Sequence, residues 1–399
     1  MESSNYPARS FQAPPAALLE SIHNQLEVRR STFLADLETL VNLDSGTYDR
    51  DDVTQVSSWL QRRVESWSAD VRWHFSTEFA DSFAVTLLGP GEANVCLLGH
   101  MDTVFPHGTA ATRPFRIEGD RALGPGTCDM KAGLLAAIYA VDALKSVGFN
   151  QYHTLRCVFT ADEEVGAPSS RAFVEEMAGG RDAVLVLEAG RENGDIVGLR
   201  RGGGVYRLEV HGRSAHAGVE PQKGRSAALS LCRQVIALHG LSDLAAGNTV
   251  NVGTLRSGIR PNVVPDLAVA EVDVRAPTQH EMEQLLQNAE AVLTREALPD
   301  TTYTWSPVSF RPPWEPNEGT TQLAALAATI ASRLGFAVAA ASTGGTSDGN
   351  FTAALGIPTL DGLGPVGGLD HSPLEYIEIA SIVPRTALLA GLIVSICID

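Results

Sequence analysis

Between positions 16 and 41, apolar residues recur at the three-to-four spacing of one helix face: Leu18, Leu19, Ile22, Leu26, Phe33, Leu37, Leu40 and Val41. That spacing predicts a single amphipathic helix, ended by Leu43-Asp44-Ser45-Gly46. Residues 1–15, polar and Pro-rich, read as a loose arm. A second stripe, Val53, Val56, Trp59, Leu60, Val64 and Trp67, predicts a helix over 51–67. The pattern then shortens to period-two or continuously apolar runs at 71–75, 82–88 and 94–98, which read as strands. An Ala/Leu-rich helix over 130–147, a strand at 156–160, a helix at 169–177 and a strand at 183–187 follow. Strands alternating with helices indicate an α/β layer on a parallel or mixed sheet.

Beyond Gly202-Gly203-Gly204 the order changes. Strand 205–211, helix 226–239, strands 249–255 and 267–275, helix 279–296 and strand 301–308 spell β-α-β-β-α-β, a four-stranded sheet with two helices. The α/β pattern then resumes with a helix at 320–334, strands at 337–341 and 358–363, and a final helix at 378–396. The organisation expected is a larger domain, 1–204 and 313–399, carrying an inserted smaller one, 205–312.

Size agrees with two domains, because single cores rarely grow past about 250–300 residues and this chain has 399. The net charge of −17 excludes the basic footprint of a nucleic-acid binder and adhesion to anionic lipid. Cys96, Cys128, Cys157, Cys232 and Cys397 are odd in number and widely spaced, without a metal-knuckle or redox pair. Free thiols in a reducing compartment are expected. The N-terminus lacks the apolar core of a signal peptide. No stretch reads as long enough to span a bilayer, and the apolar tail, 387–398, reads as a core helix. The expected location is cytoplasmic.

Against this frame, acid and imidazole groups fall at equivalent places. Val95-Cys96-Leu97-Leu98-Gly99 ends in His100-Met101-Asp102; strand 156–160 runs into Asp162-Glu163-Glu164; strand 183–187 ends in Glu188. In α/β sheets, sites gather outside the carboxyl ends of strands. Asp129 follows a Gly-rich turn and precedes a helix, and His371 lies in a late loop. His100, Asp129, Glu164, Glu188 and His371 are a mixed imidazole–carboxylate set without thiolate, suited to zinc, with cobalt or manganese as substitutes. Two imidazoles and three carboxylates serve two cations if Asp129 bridges them, and two cations lower the pKa of a water held between them. If residues 100 to 102 stay extended, Asp102 points the same way as His100 and can orient its imidazole. Glu163 and Glu164 are adjacent and cannot readily ligate one metal together. Glu164 is assigned to the metal and Glu163 to general base.

Gly99-His100-Met101-Asp102-Thr103-Val104, Gly126-Thr127-Cys128-Asp129-Met130-Lys131-Ala132-Gly133, Thr160-Ala161-Asp162-Glu163-Glu164-Val165-Gly166 and Asp370-His371-Ser372-Pro373 resemble the M20 family of dinuclear zinc peptidases, most of all its glutamate carboxypeptidase branch. The resemblance runs from about residue 20 to the end. It implies a three-layer zinc-peptidase catalytic domain with an inserted ferredoxin-like lid that forms a homodimer. It implies His100, Asp129 and Glu188 on one zinc, Asp129, Glu164 and His371 on the other, and a cis peptide after Asp129. A Glu at 188 goes, in that family, with enzymes that grip a substrate carboxylate.

His216, in Ser214-Ala215-His216-Ala217-Gly218, resembles the lid histidine that stabilises the oxyanion, and Asn262 the lid residue near substrate. Arg275, closing a strand, suits a bidentate carboxylate contact, and the Gly345-Thr346 loop offers backbone N–H groups. Arg201, Arg311 and Lys131 lack a local pattern that fixes their direction. Leu369-Asp370 before His371 departs from many relatives. The function expected is a dinuclear zinc hydrolase that cleaves an amide beside a free carboxylate, releasing a glutamate-like amino acid from a small peptide or N-acyl amino acid. An N-acyl-amino-acid deacylase or dipeptidase is the alternative with the same machinery, and an inactive metal-binding interaction module the alternative of another class. Gly202-Gly203-Gly204 lacks the G-x-G-x-x-G of a nucleotide loop.

Overall fold

The computed structural model describes residues 11–398; most of the expected N-terminal arm lies outside that range. The described chain forms two compact units. One comprises the chain up to Leu199, Pro316–Thr343 and everything from Ser347 onward; the other is Arg200–Glu315 with Gly344–Thr346. The tripeptide Gly344–Thr346 belongs with the second unit although it lies outside the segment 205–312.

The first unit is built on a six-stranded sheet in the spatial order Asp70–His74, Ser82–Leu88, Tyr152–Thr160, Ala93–His100, Ala183–Val186, Thr359–Leu360. Ala93–His100 is central, with parallel neighbours on both sides; towards one edge Ser82–Leu88 pairs antiparallel with both of its neighbours and is the one strand running against the rest. The central strand is buried on both faces, which is why it reads as one apolar run. Its alternate residues serve different cores: Val95 and Leu97 face the larger cluster, Cys96 and Leu98 the smaller. The larger cluster holds Leu37, Leu135, Ile138, Leu389 and Ile393, drawn from three helices, each residue at most 1 % exposed. Burying one such side chain contributes about 1.5–3 kcal/mol. The smaller holds Phe173, Val174 and Met177 of helix Arg171–Ala178.

Helix Arg50–Val64 begins where Asp49 accepts the Asp52 N–H, with acids in its first turn and Arg62 and Arg63 in its last, so both ends match the helix dipole. The helix expected over 16–41 is two, Ala16–Glu27 and Arg30–Val41. The Arg29 guanidinium occupies the Gln25 carbonyl, and the Arg29 N–H donates to Leu26 instead, so the i→i+4 ladder is interrupted there. Helix Ile382–Cys397 with its preceding turn makes an apolar stretch of 19 residues, long and apolar enough to cross a membrane by length and composition. This corrects the expectation that no stretch has that length. The helix is packed as core: Leu388, Leu389, Leu392 and Ile393 are fully buried.

Several short strands escaped the pattern, because so few residues seldom carry a measurable period, and the strand expected at 337–341 begins only at Ala340. Ile196–Arg200 pairs with Ala340–Thr343. Gly367–Gly368, Tyr376–Glu378, Arg121–Leu123 and Arg116–Glu118 form a small antiparallel sheet, with Tyr376 opposite Leu123.

The second unit is an antiparallel four-stranded sheet ordered Thr249–Ser257, Leu267–Ala276, Gly202–His211, Thr302–Arg311, with helices Ala227–His239 and Gln279–Glu296. Alternation is regular along Gly202–His211: Tyr206, Leu208 and Val210 are buried with both helices, while Arg207 and His211 are exposed on the opposite face.

Candidate functional site

Three adjacent parallel strands end together. His100 closes the central strand opposite Thr160, two residues before Asp162-Glu163-Glu164, and Leu98 stands opposite Val186, two residues before Glu188. Helix Ala132–Ser146 begins against the same edge, because Gly133 has no side chain: a Cβ there would lie 1.9 Å from the Leu187 carbonyl oxygen. Just before this helix, residues 127–131 leave helical geometry at Asp129 and Met130, and the Asp129–Met130 peptide is cis.

The five candidate ligands converge. His100 Nε2 is 2.9 Å from Asp129 Oδ1 and 3.8 Å from Glu188 Oε1. His371 Nε2 is 3.1 Å from Asp129 Oδ2 and 3.2 Å from Glu164 Oε2. Asp129 therefore stands between two imidazoles, one oxygen to each. His100 Nδ1–H donates to the Asp102 carbonyl at 2.9 Å, and a carbonyl can only accept, so Nε2 is the ring nitrogen left to face the site. His371 sits in the left-handed region at φ 61°, as does Leu369 at φ 58°. Non-glycine residues adopt that conformation uncommonly.

Electrostatics here are those of a site short of positive charge. Burial alone would raise the Asp129 carboxyl, but hydrogen bonds from His100 and His371 hold it well below the usual carboxylate range. Burial, then repulsion from Asp129, pushes Glu188 well above that range. Burial also raises Glu164. Burial opposes a charge on His100, yet its contacts with Asp102 and Asp129 keep it well above an ordinary imidazole. Hydrogen bonds to Asp129 and Glu164 lift His371 to about 11. One buried oxygen, Glu164 Oε1, has no hydrogen-bond partner. Three carboxylates facing two imidazoles, with an orphaned acceptor among them, fit divalent cations. The His100, Asp129 and Glu164 donor atoms all lie within 4.8 Å of one another.

Asp102 does more than the sequence suggested. Its backbone oxygen is the close partner of the His100 ring; its carboxylate lies farther, at 3.4 Å. That carboxylate, fully buried, accepts the Glu163 and Glu164 N–H groups at 3.2 Å each and the Thr47 hydroxyl at 2.7 Å. Asp102 thus fixes the turn that carries both glutamates. Glu163 is 7 % exposed. Thr47 was missed because nothing near it in sequence marks it. A second cluster, Asp44, Asp52 and His107, is accounted for by folding: Asp44 accepts the Gly108 and Ala110 N–H groups, and His107 pairs with Asp52 at 2.7 Å.

His216, Asn262, Arg275, Gly345 and Thr346 belong to the second unit. His216 and Asn262 are neighbours there: His216 bridges Val263, and the Ala217 N–H donates to the Asn262 carbonyl at 3.0 Å. His216 Nδ1 accepts the Gly218 N–H at 3.2 Å, which leaves its Nε2 carrying the proton. Arg275 is less open than expected. Its Nε and Nη2 grip Asp273 at 2.9 and 3.1 Å, and Nη1 donates to the Gly344 carbonyl at 2.8 Å. Three of its five N–H bonds are therefore committed. The Gly345 carbonyl accepts from Arg200 at 3.2 Å. Gly203 stands opposite Arg275 on one side and Arg311 on the other, so the two arginines project from one sheet face across a position without a side chain. That register, invisible in sequence, gives Arg311 the direction it lacked.

Comparison with known proteins gives the family. Residues 96–395 match the model of peptidase family M20/M25/M40. Carboxypeptidase G2 of Pseudomonas sp. (strain RS-16) is 28 % identical over 365 residues, 90 % of this chain and 88 % of that protein. A succinyl-diaminopimelate desuccinylase of Bordetella petrii is 30 % identical over 308 residues, covering 73 % of this chain and 79 % of its own. The crystal structure of a tripeptidase from Staphylococcus aureus superposes with a TM-score of 0.76 at 21 % identity, over 92 % of this chain and 98 % of that one. The chain belongs to peptidase family M20/M25/M40 and is a metallohydrolase of that family.

Proposed function

We propose that this hydrolase cleaves an amide bond beside a free carboxylate, releasing a glutamate-like amino acid from a small peptide or an N-acyl amino acid. The observation that carries the hydrolytic part is the convergence of His100, Asp129, Glu164, Glu188 and His371 around an unpartnered carboxylate oxygen, with the buried Glu163 on the adjoining turn. His100, Asp129 and Glu188 would hold one zinc, and Asp129, Glu164 and His371 the other. When bound, such a pair lowers the pKa of water and polarises the amide carbonyl.

The chain's own groups supply the rest. Glu163 takes a proton from the attacking water and returns it to the leaving amine. Asp102 keeps Glu163 in place through its backbone N–H. His216 donates from Nε2 to the developing oxyanion, its tautomer set by Gly218, and Asn262 accompanies it. Arg275 keeps one N–H on each terminal nitrogen for a substrate carboxylate, with Arg311 beside it across Gly203. The Gly345-Thr346 loop borders that carboxylate.

Glu163→Gln should keep its full metal content by elemental analysis while kcat falls about 10²–10⁴-fold. Near-normal turnover in that variant removes Glu163 from the mechanism. An N-acyl-amino-acid deacylase or dipeptidase is the second reading, favoured by the desuccinylase among the relatives. A panel of N-acyl amino acids beside peptides ending in glutamate separates the two.

The second unit also suits a homodimer. Thr249–Ser257 is an edge strand, and helix Ala227–His239 carries Leu229 and Ile236, 56 % and 75 % exposed, on its outward face. A cytoplasmic location is supported by the five free thiols and is tested by cell fractionation.

A further inference from the structure

The buried carboxylate of Glu375 has no part in the mechanism above, yet it sits under the metal-site loop. It is 1 % exposed. Its Oε1 accepts the Cys128 N–H at 2.7 Å and the Asp129 N–H at 3.0 Å, and its Oε2 accepts the Gly126 N–H at 3.1 Å. Three backbone donors from one four-residue loop thus converge on a side chain about 250 residues away. Burial of a carboxylate on such terms is costly unless its acceptors are filled, and here they are filled by the loop alone among the described hydrogen bonds.

The small antiparallel sheet explains how the two segments meet. Tyr376 pairs with Leu123 in register, so the residue before Tyr376 is delivered to the loop that follows Leu123. The opposite flank of that loop is held by Lys131, whose Nζ donates to the Pro125 and Leu43 carbonyls at 3.4 and 2.7 Å. Glu375 also lies four residues after His371 on one short segment. The same carboxylate therefore links the backbone of Asp129 to the chain that carries the second imidazole on Asp129.

We propose that Glu375 is a positioning residue for the metal centre: by accepting the Gly126, Cys128 and Asp129 N–H groups it sets the Asp129 carboxylate between His100 and His371 and ties the two loops together. This rests on the metal reading given above. The chemistry makes the acceptor count decisive. A glutamine at 375 keeps one acceptor oxygen but turns an NH2 toward an N–H, donor against donor. An aspartate keeps both oxygens and the charge on a shorter stem.

The test uses the full-length protein in three forms: wild type, Glu375→Gln and Glu375→Asp. Zinc affinity is read by competition with a chromophoric chelator, the ligand field by the visible absorption of the cobalt(II)-loaded protein, and folding by thermal unfolding of the metal-free protein. Glu375→Gln is expected to lose about 10–100-fold in zinc affinity and to shift the cobalt bands, beyond what any fall in the metal-free unfolding temperature accounts for. Glu375→Asp should recover part of both. If Glu375→Gln does not fold, Glu375→Asp is read against wild type by the same two metal measurements. Wild-type affinity and bands in the folded variants overturn the proposal, as does an affinity loss with unchanged bands that only tracks lower metal-free stability. Wild-type protein that takes up no zinc overturns the metal reading itself, and this proposal with it.

Discussion

Asp129 shows how one side chain inherits its properties from its neighbours. Alone and buried, it would resist ionisation; flanked by His100 and His371, it is held ionised, and it holds them protonated in return. Metal binding needs neutral imidazoles. The metal-free site keeps His371 protonated up to about 11 and His100 protonated well above its ordinary value. Zinc must therefore displace protons, so affinity should rise with pH across the neutral range. Titration calorimetry in buffers of different ionisation enthalpy should register net proton release. Zinc uptake that is indifferent to pH would contradict this account of the site. His100 and Asp129 were legible as candidates, being residue types suited to metal at strand and turn ends. The company of Asp102 was not: Thr47 comes from 55 residues away and carries no local signature.

At the scale of elements, the site exists because three parallel strands stop level with one another and a helix starts against them. Gly133 is the tightest point of that junction. Gly133→Ala would place a methyl 1.9 Å from the Leu187 oxygen, driving helix Ala132–Ser146 away from the residue before Glu188. The expected destabilisation is about 1–3 kcal/mol or more, read by urea denaturation, with weaker zinc binding beside it. Unchanged stability would mean that the helix and strand do not meet as described. The long helices and strands were legible because their period is in the chain itself. The break at Arg29 and short strands such as Arg116–Glu118, Arg121–Leu123 and Gly367–Gly368 were not, since one depends on a side chain reaching back to Gln25 and the others are too short for a period.

For the whole molecule, two units predict two unfolding events. Zinc at about 100 times its dissociation constant should stabilise the unit that binds it by about 2.7 kcal/mol. Calorimetry with and without a chelator should move the transition of the first unit and leave that of the second in place. Equal unfolding with and without chelator would count against a metal held by the folded state. Association is the other molecular property at stake. Ile236→Glu, on the exposed face of helix Ala227–His239, should convert a dimer to monomer in sedimentation without loss of zinc. A wild-type protein that sediments as a monomer at all concentrations would remove the dimer reading.

What this chain's sequence determined by itself is what short-range physics controls: apolar spacing that makes helices and strands, the α/β and β-α-β-β-α-β orders, and acids placed where strands end. Tertiary structure alone decided which of those groups meet. Asp129 touches His371 across 242 residues, Arg275 spends two donors on Asp273, and Arg311 faces the same glycine gap as Arg275 through sheet register. Periodicity follows from backbone geometry that repeats every few residues, whereas these partnerships follow from strand register and loop closure, which no local window of the chain contains.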